Sequence, residues 1–204
     1  MTVKLYSYAV LRDYGFAPNP FSGYCTLATC KPEIRRMASI GDWVVGTGSA
    51  THNRRGNLVY AMKVAETMSF GSYWDNPRFE NKKPNLRPST KLAFGDNIYR
   101  RKNGRWTQAD SHHSFSDGRP NPANISHDTQ TDRVLIATQY AYWGGRGPQI
   151  PRSLRNFHCK DICKSGPGYK VNFPAGMEEH FLEWFLSLGA QGCLGCPIDW
   201  PRAR

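Results

Sequence analysis

Asp110-Ser111-His112-His113-Ser114 is a dense run of proton-handling and hydrogen-bonding side chains within a chain of 204 residues. Imidazole titrates closest to neutral pH, so His112 or His113, with Asp110 as a neighbouring carboxylate, can move protons in acid–base catalysis. The same groups can instead hydrogen-bond the edge of an extruded base with no reaction at all. On an extended segment adjacent side chains point to opposite faces, so one pocket takes at most one of the two histidines.

Thiols supply the second kind of chemistry. Cys25 and Cys30 lie just before the basic turn "KPEIRR". A cysteine there, with His112 or His113 folded against it, has the makings of an activated nucleophile. Cys159 and Cys163 in "CKDIC" and Cys193 and Cys196 in "CLGC" are spaced to offer four thiolates to one tetrahedral zinc, with His158 as a substitute ligand. A zinc held by four protein ligands has no open position, so its role would be structural. Reduced packing thiols and a disulfide are the alternatives for the same residues.

Charge points to the ligand class. Of a formal net charge of +11, the stretch from Arg78 to Arg105 holds nine Lys or Arg against Glu80 and Asp96. Such a local excess draws polyanions, nucleic-acid phosphates above all. Lys82, Lys83, Arg87, Arg100 and Arg101 are the expected phosphate ligands, and a solvated loop is the bland alternative. Tyr99, beside Asn97, can stack on a base, and Arg133 can clamp a phosphate. Either can equally hold the fold together, Arg133 by pairing with Asp132 or Asp96. Thr47 and Ser49 stand among Gly46 and Gly48 at a strand end and suit hydrogen bonding to a base or phosphate. They form no phosphate loop, because the lysine and the glycine spacing of that motif are missing.

The elements that must position these groups are mostly strands. "VKLYSYAVL" and "DWVVGTGS" read as strands, and "LVYAMKVAETMSF" as a long run able to pair back on the second as a hairpin. "KPEIRRMASIG" reads as a short helix with Pro32 in its first turn and Gly41 ending it. "RVLIATQYAYW" reads as a further strand. In "GMEEHFLEWFLSLG", Met177, Phe181, Phe185 and Leu188 fall on one helical face, with Gly189 as the cap. Residues 71–131 are expected to be loops with short strands at Ile98-Tyr99 and Trp106-Thr107, a length that calls for a functional reason. No apolar run is long enough to span a bilayer and the start lacks the pattern of a signal peptide, so the expectation is a cytoplasmic protein.

The strings "YSYAVLRDYGFAPNPFSGYCTLATCKPEIRRMASIGDWVVGTGS", "LVYAMKVAE", "GDNIYR", "QADSHHS" and "DRVLIATQYAYWG" resemble the nucleotide modification associated domain 2 family. That resemblance covers nearly the whole chain and implies a place in bacterial or phage DNA base modification. A shorter likeness, "IGDWVVGTGS" followed by "LVYAMKVAE", is similar to the paired strands of EVE and other PUA-like barrels. It implies an α+β fold: a small β-barrel with flanking helices in residues 1–150, an inserted basic region at 71–131, and a Cys-containing helical extension at 151–204.

Together these readings lead to a domain that binds nucleic acid or a nucleotide and recognises, or helps to make, a modified DNA base. Its expected partners are DNA in preference to RNA, and other DNA modification proteins. The alternative is an enzyme acting directly on a base or nucleotide through a histidine, with a cysteine as its possible nucleophile.

Overall fold

The computed structural model describes residues 3–200. Its strands, in chain order, are β1 Leu5–Val10, β2 Cys25–Leu27, β3 Trp43–Gly48, β4 Leu58–Lys63, β5 Glu66–Met68, β6 Tyr99–Lys102, β7 Arg105–Gln108, β8 Val134–Ala137, β9 Tyr140–Tyr142 and β10 Gly192–Cys193. The helices are α1 Pro32–Met37, α2 Phe70–Asp75, α3 Thr90–Ala93, α4 Pro122–Asp128, α5 Arg152–Arg155 and α6 Met177–Ser187. Two compact units share them. One takes the chain up to Asp13, Ala38–Val64 and the residues from Thr138 onward; the other takes Tyr14–Met37 and Ala65–Ala137.

The first unit is built on a five-stranded sheet of order β1-β3-β4-β9-β10. β1 and β3 are parallel, from Leu5 opposite Trp43 to Val10 opposite Gly48. β3 and β4 form the expected antiparallel hairpin, with a register shift between Gly46 and Thr47. Small residues are needed here because a Cβ on Gly46 would stand 2.3 Å from the Tyr60 ring, and one on Gly48 would stand 2.1 Å from the Arg54 carbonyl oxygen. Within the protein, then, it is Tyr60 and Arg54 that crowd this strand end. Against the sheet lies α6, whose Met177, Phe181 and Phe185 recur at every fourth position and join Leu5, Trp43 and Val45 in the core. Glu178 and Glu179 in its first turn complement the helix dipole.

In the second unit β2-β8-β5 form a three-stranded antiparallel sheet, and β6 with β7 make a separate hairpin. Asn103 and Gly104 both take positive φ (51° and 75°), the left-handed pair that a two-residue hairpin turn requires. The core here gathers Phe16, Ala28, Phe70, Tyr73, Phe79, Ile98, Tyr99, Val134 and Ile136.

Mixed α and β structure is thus present, but the sheets stay open. Among the described residues no barrel closes, in place of the closure that the likeness to EVE and PUA-like barrels implied. The physical reason lies in two apolar runs, each of which reads as one continuous stretch. "LVYAMKVAETM" divides into β4 of the five-stranded sheet and β5 of the three-stranded one, and "RVLIATQYAYW" divides into β8 and β9 in the same way. Helix α1 stops at Met37, short of Gly41.

Candidate active site

Strand β2, a short bend and helix α1 form a strand–turn–helix with Cys30 at its apex. Cys30 and Lys31 both adopt left-handed backbone, φ 56° and 42°. Non-glycine residues hold that conformation at a cost of about 1–3 kcal/mol each, so it persists only where the surrounding structure enforces it. A sharp turn of this kind lifts a side chain clear of the backbone around it, the arrangement used to expose a nucleophile. The Cys30 side chain is half-buried.

His113 Nε2 lies 3.7 Å from Cys30 Sγ, and on the other side of the ring Nδ1 lies 2.8 Å from Asp128 Oδ2. With a carboxylate accepting, Nδ1 carries hydrogen, which leaves Nε2 of the neutral ring to accept from the thiol. Asp128 is fully buried and its other oxygen accepts the Cys30 backbone N–H at 2.8 Å. Sulfur, imidazole and carboxylate therefore stand in series, the order that nucleophile, base and orienting acid require.

Each member is held from several elements. Asn121 starts α4 by accepting from the N–H groups of Ala123 and Asn124, and Pro122 follows in the first turn, so Asp128 falls at the helix end. Tyr99, fully buried at the base of β6, donates to Asp128 Oδ2 at 2.8 Å and accepts from Gln108 Nε2 at 3.1 Å. The His113 carbonyl receives Asn124 Nδ2 at 2.8 Å and Gln108 Nε2 at 3.3 Å, which fixes the ring's backbone. Arg35, buried within α1, donates to the carbonyls of Cys30, Asp128, Thr131 and Arg133 and ties the segments that carry Cys30 and Asp128 together.

Electrostatics follow from that geometry. Burial opposes the charged imidazole, but the hydrogen bonds with Asp128 and Cys30 outweigh it and raise His113 to about 9. Burial opposes ionisation of Asp128 as well, yet the contacts from His113, the Cys30 N–H and Tyr99 hold its carboxyl below the usual range. Burial, with the Asp128 charge next to it, pushes the Tyr99 phenol up, so it stays a neutral donor. Burial lowers the Lys31 ammonium beside Cys30.

Cys30, His113 and Asp128 are also, among the described residues, the one group of three potential ligands whose donor atoms lie within 4.8 Å of one another. His113 turns one nitrogen to sulfur and the other to carboxylate. The Asp128 oxygens already accept three hydrogen bonds. The set fits a proton relay better than a metal cage.

The sequence model of the nucleotide modification associated domain 2 family matches residues 2–204. The chain belongs to this family. No curated protein and no solved structure matches it.

In this family member the expected site residues separate sharply. His113 is in the relay. His112 is exposed and packs against Tyr14, Phe16 and Phe94, at centroid distances of 4.4, 5.3 and 5.0 Å. Asp110 is exposed beside Gly118, and Asp128 occupies the carboxylate position expected for it. Tyr99 is too buried to stack on a base and instead braces Asp128. Buried Asn97 donates to the carbonyls of Tyr73 and Phe79. Arg133 donates to the Arg36 carbonyl at 3.0 Å and makes no ion pair with Asp132 or Asp96 among the described residues. Thr47 and Ser49 belong to the first unit, where Thr47 donates to the Tyr8 carbonyl and Ser49 keeps a buried hydroxyl with no partner among the described residues.

Of the phosphate ligands, Lys82 is a correction. It is 1% exposed and donates at 2.8 Å to Asn19 O, Asn19 Oδ1 and Tyr24 O, so it cannot meet a phosphate. Lys83 pairs with Glu80 and lies over Trp74, whereas Arg87, Arg100 and Arg101 are exposed. Cys25 is fully buried in β2, which leaves Cys30 as the thiol near a histidine. Among the described residues the expected zinc set is not assembled: Cys159, Cys163, Cys193 and Cys196 form no such cluster, Cys193 points to the Gly195 carbonyl, and burial pushes the Cys163 thiol up to about 11. Asp128, Gln108 and Arg35 were missed. The Asn121-Pro122 pair, a helix-start signal, was the available pointer to α4 and hence to Asp128.

Proposed function

We propose that this family member helps to make a modified nucleotide or DNA base by covalent catalysis at Cys30. The observation that carries the reading is the Cys30–His113–Asp128 series at a left-handed turn. In the forward step Sγ bonds to an electrophilic carbon of the substrate, its proton already held on His113 Nε2 because the site favours the charged ring. The displaced electron pair settles on the neighbouring substrate atom, which takes the proton back from Nε2. Asp128 keeps the ring oriented and supports its positive charge throughout. The family's description, nucleotide modification associated domain 2, supports a nucleotide substrate, and the exposed cations of the basic stretch suit one that bears phosphate. A reader that binds a modified base without turnover is the second reading, favoured by those same exposed cations.

Nucleoside mass spectrometry of DNA from cells carrying the wild-type chain or Cys30→Ser, with neighbouring genes intact, separates the two. Loss of a modified nucleoside in the variant is the expected result. An unchanged nucleoside profile, with the variant folded and present at equal level, overturns covalent catalysis and leaves the reader.

A further inference from the structure

We infer that the β6–β7 hairpin together with Trp74 is a docking face for a single-stranded polynucleotide. Combined with the reading of Cys30 above, on which this last step rests, the reactive base is handled within a strand and not as a free nucleotide.

The hairpin has two ends with different jobs. At its base, Tyr99 opposite Gln108 braces the relay. Toward its turn it carries Arg100, Arg101, Lys102 and Arg105, all exposed and none in an ion pair among the described residues. Three residue steps separate base from turn, about 10 Å of strand, so a polymer seated on the tip passes close to the groups that hold His113.

Cations alone would suit any polyanion. What narrows the class is their pairing with flat aromatic faces. Arg100 lies 4.7 Å over Trp74, Lys83 4.8 Å over the same ring, and Arg101 4.4 Å over Trp106. Both indoles are half-buried, and the guanidinium planes of Arg100 and Arg101 lie over them as part of the same surface. Anchored indoles interleaved with guanidinium planes provide stacking platforms for unpaired bases, with the spare N–H groups directed to phosphates. A duplex hides its base faces and would use the charges only. An acidic peptide would leave both indoles idle.

The test is fluorescence anisotropy with a labelled oligothymidylate of about 12 nucleotides, a duplex of equal length and thymidine monophosphate, read together with intrinsic tryptophan emission. The single strand should bind tightest, quench tryptophan, and lose about 0.7 log units of affinity per log unit of salt for every phosphate neutralised. Arg100→Gln combined with Arg101→Gln and Lys102→Gln should flatten that slope by about two units and weaken binding tenfold or more. Trp74→Leu should remove much of the quenching while keeping the slope. Equal or tighter binding of the duplex or the mononucleotide, no binding at all, or an unaffected triple variant overturns the proposal. Cys30→Ser must bind the strand like wild type, and the triple variant must keep the wild-type rate of Cys30 alkylation by iodoacetamide. Failure of catalysis at Cys30 and failure of the docking face therefore register in different measurements.

Discussion

Two buried polar networks in the second unit look alike in composition and differ in where they end. In one, the Lys82 ammonium is surrounded by Asn19 and Tyr24 oxygens, and Asp96, also fully buried, accepts from Thr26 at 2.6 Å and Tyr73 at 2.8 Å. Every hydrogen bond turns inward, and burial, partly offset by Lys82, raises the Asp96 carboxyl. In the other, Arg35, Asp128, Tyr99 and Gln108 lead to His113 and from there to a half-buried sulfur. The first network closes on itself and holds loops together. The second ends on the half-buried Cys30 sulfur, the atom that the proposed catalysis uses. Buried charge by itself therefore does not separate structure from chemistry; what differs between the two networks is whether the last member is buried or partly open.

The comparison breaks most visibly when each network loses its central group. Lys82→Met removes three buried hydrogen bonds and the positive charge near buried Asp96 and should cost about 3–5 kcal/mol of stability, read as the shift of a urea unfolding midpoint. Residual folded protein should still show wild-type Cys30 alkylation; selective loss of that reactivity would join the two networks into one. His113→Asn should do the opposite, slowing Cys30 alkylation near neutral pH by about tenfold or more with a much smaller change in the midpoint. Comparable loss in His112→Asn would break the separation of the adjacent histidines.

A smaller effect concerns pH. His113 is raised in the folded protein, so the stabilisation from its protonated form is fully present below the unfolded imidazole value and fades as pH rises toward about 9. Thermal melting should decline across that window in the wild type and less so in His113→Asn. A parallel decline in both would assign the pH dependence elsewhere.

Much of the local structure was legible before folding. The β3–β4 hairpin, the α6 stripe of Met177, Phe181 and Phe185, and the start of α1 at Pro32 follow from periodicity and turn residues, which act over a few positions. The approach of one histidine to one thiol was not legible in this way, because nothing in the spacing of Cys25, Cys30, His112 and His113 brings them together. Sheet membership was not legible, because Val64-Ala65 and Ala137-Thr138 continue apolar runs with nothing local to mark a change of partner. Tyr99 reads as an exposed stacking ring from its basic neighbours, yet it occupies the inward position of β6.

What the amino-acid order determined by itself is the inventory: a thiol before a proline-started helix, paired histidines, a basic hairpin and indoles to accompany it. Tertiary structure alone chose Cys30 over Cys25, His113 over His112 and Asp128 over Asp110, and buried Lys82 while leaving Arg100 and Arg101 outside. The reason is range. Propensity and periodicity operate between near neighbours, whereas the relay joins residues 83 and 15 positions apart in the chain. Only the closing of the core around them brings those atoms within hydrogen-bond distance.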